Sequence, residues 1–339
     1  MTNDDIQKIK QLLSTPKNIV IVPHKNPDGD AIGSTLGLYH YLKKQHHNVS
    51  AITPNDYPEF LKWMPGESEV LKYDSNAEKA NALIEKADLI FTLDFNALDR
   101  IGDMETPIKD AKAVKIMIDH HQQPEDYAVF VYSDVSMSST CEMVYNVIEM
   151  LGDLDQIDTD IATCLYTGIM TDTGSFKFSS TTHRTHDIIG TLIEKGADNA
   201  KIHDNIYDTF SYNQLQLLGC ALRNLIVLPE YRTAYITLSQ EELDRFNFKK
   251  GDTEGFVNYG LALQGIVFSV IFIENQQDKI IKISLRSKDD FSVNEFARAH
   301  FQGGGHINAA GGRSDLSLKA TVEKFISILP SYKNVLNQI

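Results

Sequence analysis

Cysteine is scarce in this chain of 339 residues, which contains only three. Cys141, Cys164 and Cys220 are far apart and show neither the CxxC spacing of a zinc or redox motif nor the even count of a disulfide framework. We therefore interpret all three as thiols of a hydrophobic core.

Long hydrophobic runs and a targeting segment are also lacking. No stretch has the length and apolar character of a membrane span, and residues 1–13 are polar with mixed charge, unlike a signal peptide. The hydrophobic fraction of 42% and charged fraction of 23% are typical of a globular protein. These features predict a cytoplasmic protein without a membrane partner.

Positive charge is in deficit, because 32 Lys and Arg residues face 46 Asp and Glu residues, for a net charge of −14. Proteins that follow long duplex nucleic acid rely on Lys and Arg contacts to phosphates, so this balance argues against such a partner. A small anionic substrate is still compatible, provided that bound divalent cations supply positive charge locally.

The chain is long enough for two domains, and its first part alternates strand-like with helix-like segments. This alternation predicts an α/β fold with a doubly wound, mainly parallel sheet. After it, alternating apolar patterns predict a smaller α/β domain with a mixed or antiparallel sheet. The predicted bounds are 1–210 for the first domain, 211–225 for a connecting helix and 226–339 for the second domain. The predicted strands are 18–23, 49–53, 88–93, 114–118, 233–238, 266–273 and 279–285.

Acidic and imidazole side chains follow several predicted elements of the first domain. Alone, each has an ordinary explanation, since an Asp after a strand is commonly a helix cap and paired histidines are commonly exposed. In a parallel sheet, however, the ends of the strands meet at one edge, and a set of His and Asp without Cys suits hard divalent ions. The residues are His24, Asp28 and Asp30, then Asp94, then Asp119, His120 and His121, and finally Asp172.

Five carboxylates at one edge would repel one another strongly unless cations neutralise them, which predicts two metal ions. We expect Asp94 to bridge the ions. His24 and Asp28 would hold one ion, and the other would be held by Asp30, His120 and Asp172. Mixed oxygen and nitrogen ligands favour Mn²⁺, with Mg²⁺ or Co²⁺ as substitutes. The apolar spacing of Ile32, Leu36, Tyr39 and Leu42 predicts a helix with one apolar face directly after these first ligands.

These four motifs, in this order, resemble those of the DHH phosphoesterase superfamily. The stretch Gly303 to Gly312 resembles the signature of its DHHA1 accessory domain. The resemblance covers almost the whole chain. It implies a two-domain hydrolase with a dinuclear Mn²⁺ centre in the cleft between the domains, in the branch of oligoribonucleases that also dephosphorylate 3′-phosphoadenosine 5′-phosphate (pAp).

The resemblance also assigns the catalytic residues. It implies that His120 binds metal and that His121 faces the phosphate. Neighbouring side chains at a strand end point to opposite sides, so the two imidazoles are not expected to serve the same ion. Asp119 is then expected to orient an imidazole or the bridging water. A structural hydrogen bond is the alternative role of His121.

Substrate-binding residues are expected in the second domain. Consecutive glycines let backbone N–H groups approach an anion, and Arg286 could bind a terminal phosphate or stack on a base. By resemblance, this domain holds the far end of the substrate. Arg100 and Arg184 are interpreted as solvent-exposed. The candidate substrate-binding residues are Ser284, Arg286, Gly303, Gly304, Gly305 and His306.

The leading functional hypothesis is a Mn²⁺-dependent phosphoesterase acting on small nucleotides or short single-stranded RNA, by attack of a metal-bridging hydroxide. Cyclic or linear dinucleotide phosphodiesterase and exopolyphosphatase-like activities are the enzymatic alternatives. A nucleotide-sensing protein without turnover is the alternative outside enzymes. The sequence leaves the oligomeric state open, with a homodimer as one option.

Overall fold

The computed structural model describes residues 1–338 and divides the chain into two compact units, Met1–Thr209 and Phe210–Ile339. Within residues 1–338, no helix combines the length and the apolar character that crossing a membrane requires. All three cysteines are buried free thiols.

The first unit is built on a six-stranded parallel sheet with helices on both faces. Its strands are β1 (Asn18–Pro23), β2 (Asn48–Thr53), β3 (Leu71–Lys72), β4 (Leu89–Leu93), β5 (Val114–Asp119) and β6 (Phe130–Ser133), in the spatial order β3-β2-β1-β4-β5-β6. Its helices are α1 (Asn3–Leu12), α2 (Gly29–Lys44), α3 (Tyr73–Glu85), α4 (Glu105–Asp110), α5 (Thr140–Leu151), α6 (Thr159–Asp172), α7 (His183–Glu194) and α8 (Asn199–Tyr207). Short 3₁₀ turns cover Glu59–Leu61, Glu67–Glu69, Leu98–Met104 and Leu154–Gln156.

Strand β1 shows why both faces of this sheet are covered. Ile19 and Ile21 are buried in one hydrophobic cluster, whereas Val20 and Val22 are buried in another. Successive side chains of a strand point to opposite faces, so an uninterrupted apolar strand needs a helical layer on each side. The predicted doubly wound parallel sheet is thus confirmed. The short strands β3 and β6 were not predicted.

The strand order reverses direction between β1 and β4, which are neighbours although β2 and β3 lie between them in sequence. In open α/β sheets, ligands bind beyond the carboxyl ends of the strands at this switch point. His24 follows β1 and Asp94 follows β4, so both residues lie at this point.

The second unit contains a mixed sheet in the order β11-β12-β10-β9-β8-β7. Strand β9 pairs antiparallel with β10 but parallel with β8. Its strands are β7 (Ile226–Leu228), β8 (Thr233–Leu238), β9 (Phe268–Asn275), β10 (Ile280–Ser287), β11 (Gly304–Gly305) and β12 (Ala309–Ser314). Its helices are α9 (Tyr212–Arg223), α10 (Gln240–Arg245), α11 (Asn258–Leu261), α12 (Val293–His300), α13 (Leu318–Ile328) and α14 (Lys333–Gln338), with 3₁₀ turns at Pro229–Tyr231 and Leu329–Tyr332.

Helix α9 corresponds to the predicted connecting segment and packs within the second unit. Its residues Leu217 and Ala221 are buried in one cluster with Ile236 of β8 and Ile271 of β9. A separate aromatic cluster on the sheet includes Phe268, Phe272, Phe296 and Phe325. Each unit therefore has its own hydrophobic core.

Candidate metal centre

Asp28 uses its two carboxylate oxygens for different contacts at the start of α2. Its Oδ1 accepts the backbone N–H groups of Asp30 and Ala31, each over 3.1 Å, and so caps the helix. Its Oδ2 lies 3.9 Å from His24 Nε2. The capping explanation and the metal-ligand explanation of this residue are therefore compatible, because they use different oxygens.

Asp94 lies at the centre of the cluster of His and Asp side chains that are the candidate metal ligands, and it is 2% exposed. Its Oδ2 is 3.4 Å from His24 Nε2, and its Oδ1 is 3.5 Å from His120 Nε2. The backbone here is left-handed, with φ of 63°, a conformation that Asp and Asn adopt more readily than most residues. The Asp94 carboxylate therefore lies between two imidazoles.

His120 also contacts two further carboxylates. Its Nε2 lies 3.5 Å from Asp172 Oδ2, at the end of α6, and 3.8 Å from Asp30 Oδ2, in the first turn of α2. Among the groups whose ligand atoms lie close enough for one cation, two match the predicted ligand sets. They are His24, Asp28 and Asp94 in one group, and Asp30, His120 and Asp172 in the other, each with its ligand atoms within 4.8 Å of one another.

The two imidazoles are oriented by backbone carbonyls behind them. His24 Nδ1 is 2.9 Å from the Lys25 carbonyl oxygen, and His120 Nδ1 is 3.2 Å from the Met137 carbonyl oxygen. A carbonyl only accepts hydrogen bonds, so each Nδ1 carries hydrogen, and in its neutral form each ring would direct the Nε2 lone pair at carboxylate oxygens. Lone pairs and carboxylates that face each other require a proton or a cation between them, which fits a divalent metal.

The pKa values of His24 and Asp30 are shifted by the same close packing of buried carboxylates and imidazoles. Burial lowers the pKa of His24, but the Asp94 hydrogen bond and the Asp28 charge outweigh burial and raise that pKa to about 9. Burial, followed by the charges of Asp94 and Asp172, raises the pKa of Asp30 well above its ordinary value. In the metal-free protein, the cluster thus takes up protons to reduce its negative charge.

His121 is held by Asp119, which is fully buried. The backbone N–H of His121 donates to Asp119 Oδ2 over 2.8 Å, and Nδ1 lies 2.7 Å from Oδ1. The two neighbouring imidazole rings are inclined by 75°. His121 Nδ1 lies 3.7 Å from Asp94 Oδ1, the oxygen that His120 Nε2 also approaches.

Arg100 is part of this site, contrary to its interpretation as a solvent-exposed residue. It is half-buried in the turn Leu98–Met104, and its Nη2 lies 3.5 Å from His121 Nε2. Its carbonyl accepts the N–H of Lys25 over 2.8 Å, which joins the loops that follow β1 and β4. Its position six residues after Asp94, in the same strand-end loop, is the signal that could have identified it.

The sequence also gave no indication that the start of α5 contacts the metal centre. Ser139 caps this helix by accepting the N–H of Glu142 over 3.1 Å. In addition, the N–H groups of Thr140 and Cys141 donate to the Asp30 carboxylate. No local pattern identifies these contacts, because the partners lie about 110 residues apart in the chain.

The substrate-binding candidates lie on adjoining strands of the second unit. Ser284 and Arg286, two residues apart on β10, point to the same face. Ser284 is in register with Gly311 of β12, which pairs in turn with Gly304. The structure therefore brings Ser284 and Arg286 of β10 near the glycine-rich segment.

Backbone packing also explains glycine at two of these positions. A Cβ on Gly303 would lie 1.9 Å from the Gly311 carbonyl oxygen, and Gly305 has φ of 148°. The Gly305 N–H donates to Asn294 Oδ1 over 3.1 Å, and the His306 N–H donates to the Ala309 carbonyl over 2.7 Å. These two N–H groups already have partners within the unit, so an anion would compete with them.

Comparison with known proteins agrees with the order of these motifs. The model of the DHH family, N-terminal domain, matches residues 18–169, and the model of the DHHA1 domain matches residues 232–332. The bifunctional oligoribonuclease and PAP phosphatase NrnA of Bacillus subtilis is 30% identical over 303 residues, which cover 88% of this chain and 90% of that relative. NrnA of Thermus thermophilus is 31% identical, with coverages of 86% and 83%.

A solved structure extends the similarity to the whole chain. The crystal structure of an exopolyphosphatase-related protein from Bacteroides fragilis is 42% identical and superimposes with a TM-score of 0.96. The match covers 99% of this chain and 98% of that one. The fold of this chain is therefore shared by that protein over nearly its whole length.

Proposed function

Since this chain belongs to the DHH family and is a phosphoesterase, we propose that it hydrolyses short nucleotide-containing phosphates, namely oligoribonucleotides of a few residues and pAp. The activities named for the NrnA relatives support this substrate class. The observation that carries the proposal is the pair of adjoining ligand groups, with Asp94 between His24 and His120.

The ligand groups suit two Mn²⁺ ions, with Mg²⁺ or Co²⁺ as substitutes, because they combine carboxylates and imidazoles without a thiolate. His24 and Asp28 would hold one ion, and Asp94 would bridge to the second. The remaining ligands of the second ion would be Asp30, His120 and Asp172. When bound, such an ion pair activates a water molecule and neutralises charge on the phosphate oxygens.

His121 and Arg100 are the proposed phosphate-binding groups of the first unit. Asp119 holds the imidazole of His121 through Nδ1, which leaves Nε2 as the nitrogen proposed to face a phosphate oxygen. Arg100 Nη2 is 3.5 Å from this nitrogen, so one phosphate oxygen could contact both side chains. These two groups would stabilise the charge that develops as the phosphoester bond breaks.

The second unit would bind the remainder of the substrate. Arg286 is proposed to contact a terminal phosphate or to stack on a nucleobase, with Ser284 on the same face of β10. Gly303, Gly304, Gly305 and His306 are proposed to line the same region. A binding role of this kind would limit the enzyme to substrates of a few nucleotides.

The proposal is tested by steady-state hydrolysis with Mn²⁺. We expect pAp or an RNA dinucleotide to give a kcat/KM at least about tenfold above that of a cyclic dinucleotide or polyphosphate, a difference of about 1.4 kcal/mol in activation free energy. A preference for either of the last two substrates would favour the corresponding alternative activity. Nucleotide binding without product release from any substrate would support the sensor hypothesis instead.

A further inference from the structure

Thr140, the first residue of α5, contacts two carboxylates that come from different elements. Its backbone N–H donates to Asp30 Oδ2 over 2.6 Å, and its hydroxyl donates to Asp94 Oδ1 over 3.0 Å. The next N–H, of Cys141, donates to Asp30 Oδ1 over 2.8 Å. Thr140 is fully buried, so water does not replace these contacts.

The hydroxyl contact determines which Asp94 oxygen faces which imidazole. The terminal torsion of Asp is soft, so a carboxylate without a fixed partner can rotate. With Oδ1 bound to Thr140, this oxygen lies 3.5 Å from His120 Nε2 while Oδ2 lies 3.4 Å from His24 Nε2. A hydroxyl hydrogen occupies one lone pair of Oδ1 and leaves the other for a cation.

The start of α5 is itself held firmly. Glu142, which is 3% exposed, accepts a hydrogen bond from the Thr185 hydroxyl over 3.0 Å and another from Ser138. On the side of α6, a Cβ on Gly168 would lie 2.1 Å from Cys141 Sγ, so the two helices are in close contact. Thr140 therefore has little freedom to follow Asp94 if that carboxylate turns.

We propose that Thr140 is a positioning residue that directs the two oxygens of Asp94 to two different cations. This inference rests on the proposed function only in assuming that the cluster binds metal. Thr140 does not bind metal or substrate in this account. It acts through Asp94, and through its backbone N–H on Asp30.

The test is Thr140→Val, which replaces the hydroxyl by a methyl group of similar size and keeps the N–H bond to Asp30. Free Mn²⁺ in a titration is measured by electron paramagnetic resonance, without reference to activity. We expect at least one apparent dissociation constant for Mn²⁺ to rise about 10- to 100-fold, the range found for partners that orient metal ligands. Activity should fall at limiting Mn²⁺ and recover largely at saturating Mn²⁺, and Thr140→Ser should bind Mn²⁺ as the wild type does.

The matched control is Thr321→Val, which removes a buried hydroxyl that donates to Ser314 Oγ in the second unit. Its melting temperature should fall, but its Mn²⁺ affinity should not change. Wild-type affinity in Thr140→Val, or an equal loss of affinity in Thr321→Val, would overturn the inference. Absence of Mn²⁺ binding by the wild-type protein would overturn the metal assignment itself, and with it the premise of this inference.

Discussion

At the scale of single residues, Asp94 lies between the two proposed groups of metal ligands. It is almost fully buried, its backbone is left-handed, and each of its oxygens faces a different imidazole. The hydrogen bonds from His120 and His24 overcome burial and hold the pKa of this carboxyl well below its ordinary range. A carboxylate kept ionised in this way is suited to bridge two cations.

Asp94→Asn should therefore abolish most of the activity while preserving the fold. The amide matches the carboxyl in size and Asn tolerates positive φ, so the change removes mainly the charge and one metal-binding oxygen. We expect kcat/KM for pAp to fall by at least about 100-fold, because even changes in outer partners of a metal site cost 10- to 100-fold.

The control for this variant is Asp158→Asn. Asp158 caps α6 by accepting the Ile161 N–H over 3.1 Å, and Asn is an equally good cap. Within residues 1–338, Asp158 contacts none of the His and Asp residues of the metal centre. The activity of Asp158→Asn should therefore stay within about twofold of wild type. Activity within tenfold of wild type in Asp94→Asn would contradict the bridging role.

At the scale of secondary-structure elements, the close approach of α2 and α6 brings Asp30 and Asp172 together. The sequence predicted one apolar face for α2, but most of the helix is buried, from Gly29 to Leu42. A Cβ on Gly33 would lie 2.6 Å from the Cys164 carbonyl oxygen of α6. Glycine at this position therefore permits backbone contact between the helices.

Gly33→Ala should separate α2 from α6, since the atom it meets belongs to the backbone and cannot rotate away. We expect a loss of about 1–3 kcal/mol in the free energy of unfolding, as found for overpacked cores. Mn²⁺ affinity should fall as well, because Asp30 moves with α2. Urea unfolding and a Mn²⁺ titration measure the two effects.

Gly190→Ala, within α7, is the matched control. Its Cβ would meet no atom within 4 Å, so the same change should raise stability by about 0.5–1 kcal/mol through helix propensity. Mn²⁺ affinity should not change. If both variants were stabilised alike, the close packing of α2 on α6 would not limit the position of Asp30.

At the scale of the whole molecule, the proposed metal ligands all belong to Met1–Thr209, and the second unit has a core of its own. A ligand that binds only the folded state stabilises it by about 2.7 kcal/mol at 100 times its dissociation constant. Bound Mn²⁺ should therefore stabilise the unit that contains the metal-binding residues.

Hydrogen exchange of the full chain, followed by mass spectrometry, measures the distribution of this effect. Mn²⁺ should slow exchange in peptides from the first unit, most of all around Asp28–Asp30 and the start of α5, and a chelator should reverse the change. Peptides from residues 210–338 should change little. Equal protection in both units, or no protection in the first, would contradict the placement of the metal centre.

The doubly wound sheet of the first unit and the family could be predicted from the sequence alone, because both follow from local patterns. For the second unit, the sequence left a mixed and an antiparallel sheet as alternatives, and the parallel pairing of β8 with β9 came only from the structure. Apolar runs such as 18–23 specify buried strands, and a strand end specifies where the next polar residues lie. His24 and Asp94 could be assigned to one edge for that reason, although about 70 residues separate them in the chain.

The groups that form hydrogen bonds to these residues could be identified only from the tertiary structure. The Thr140 contact to Asp30 and the approach of Arg100 to His121 depend on how helices and loops pack. The same local sequence would serve as a helix cap or an exposed loop in another fold. Contacts between residues distant in sequence are set by the packing of whole elements, which a local pattern does not contain.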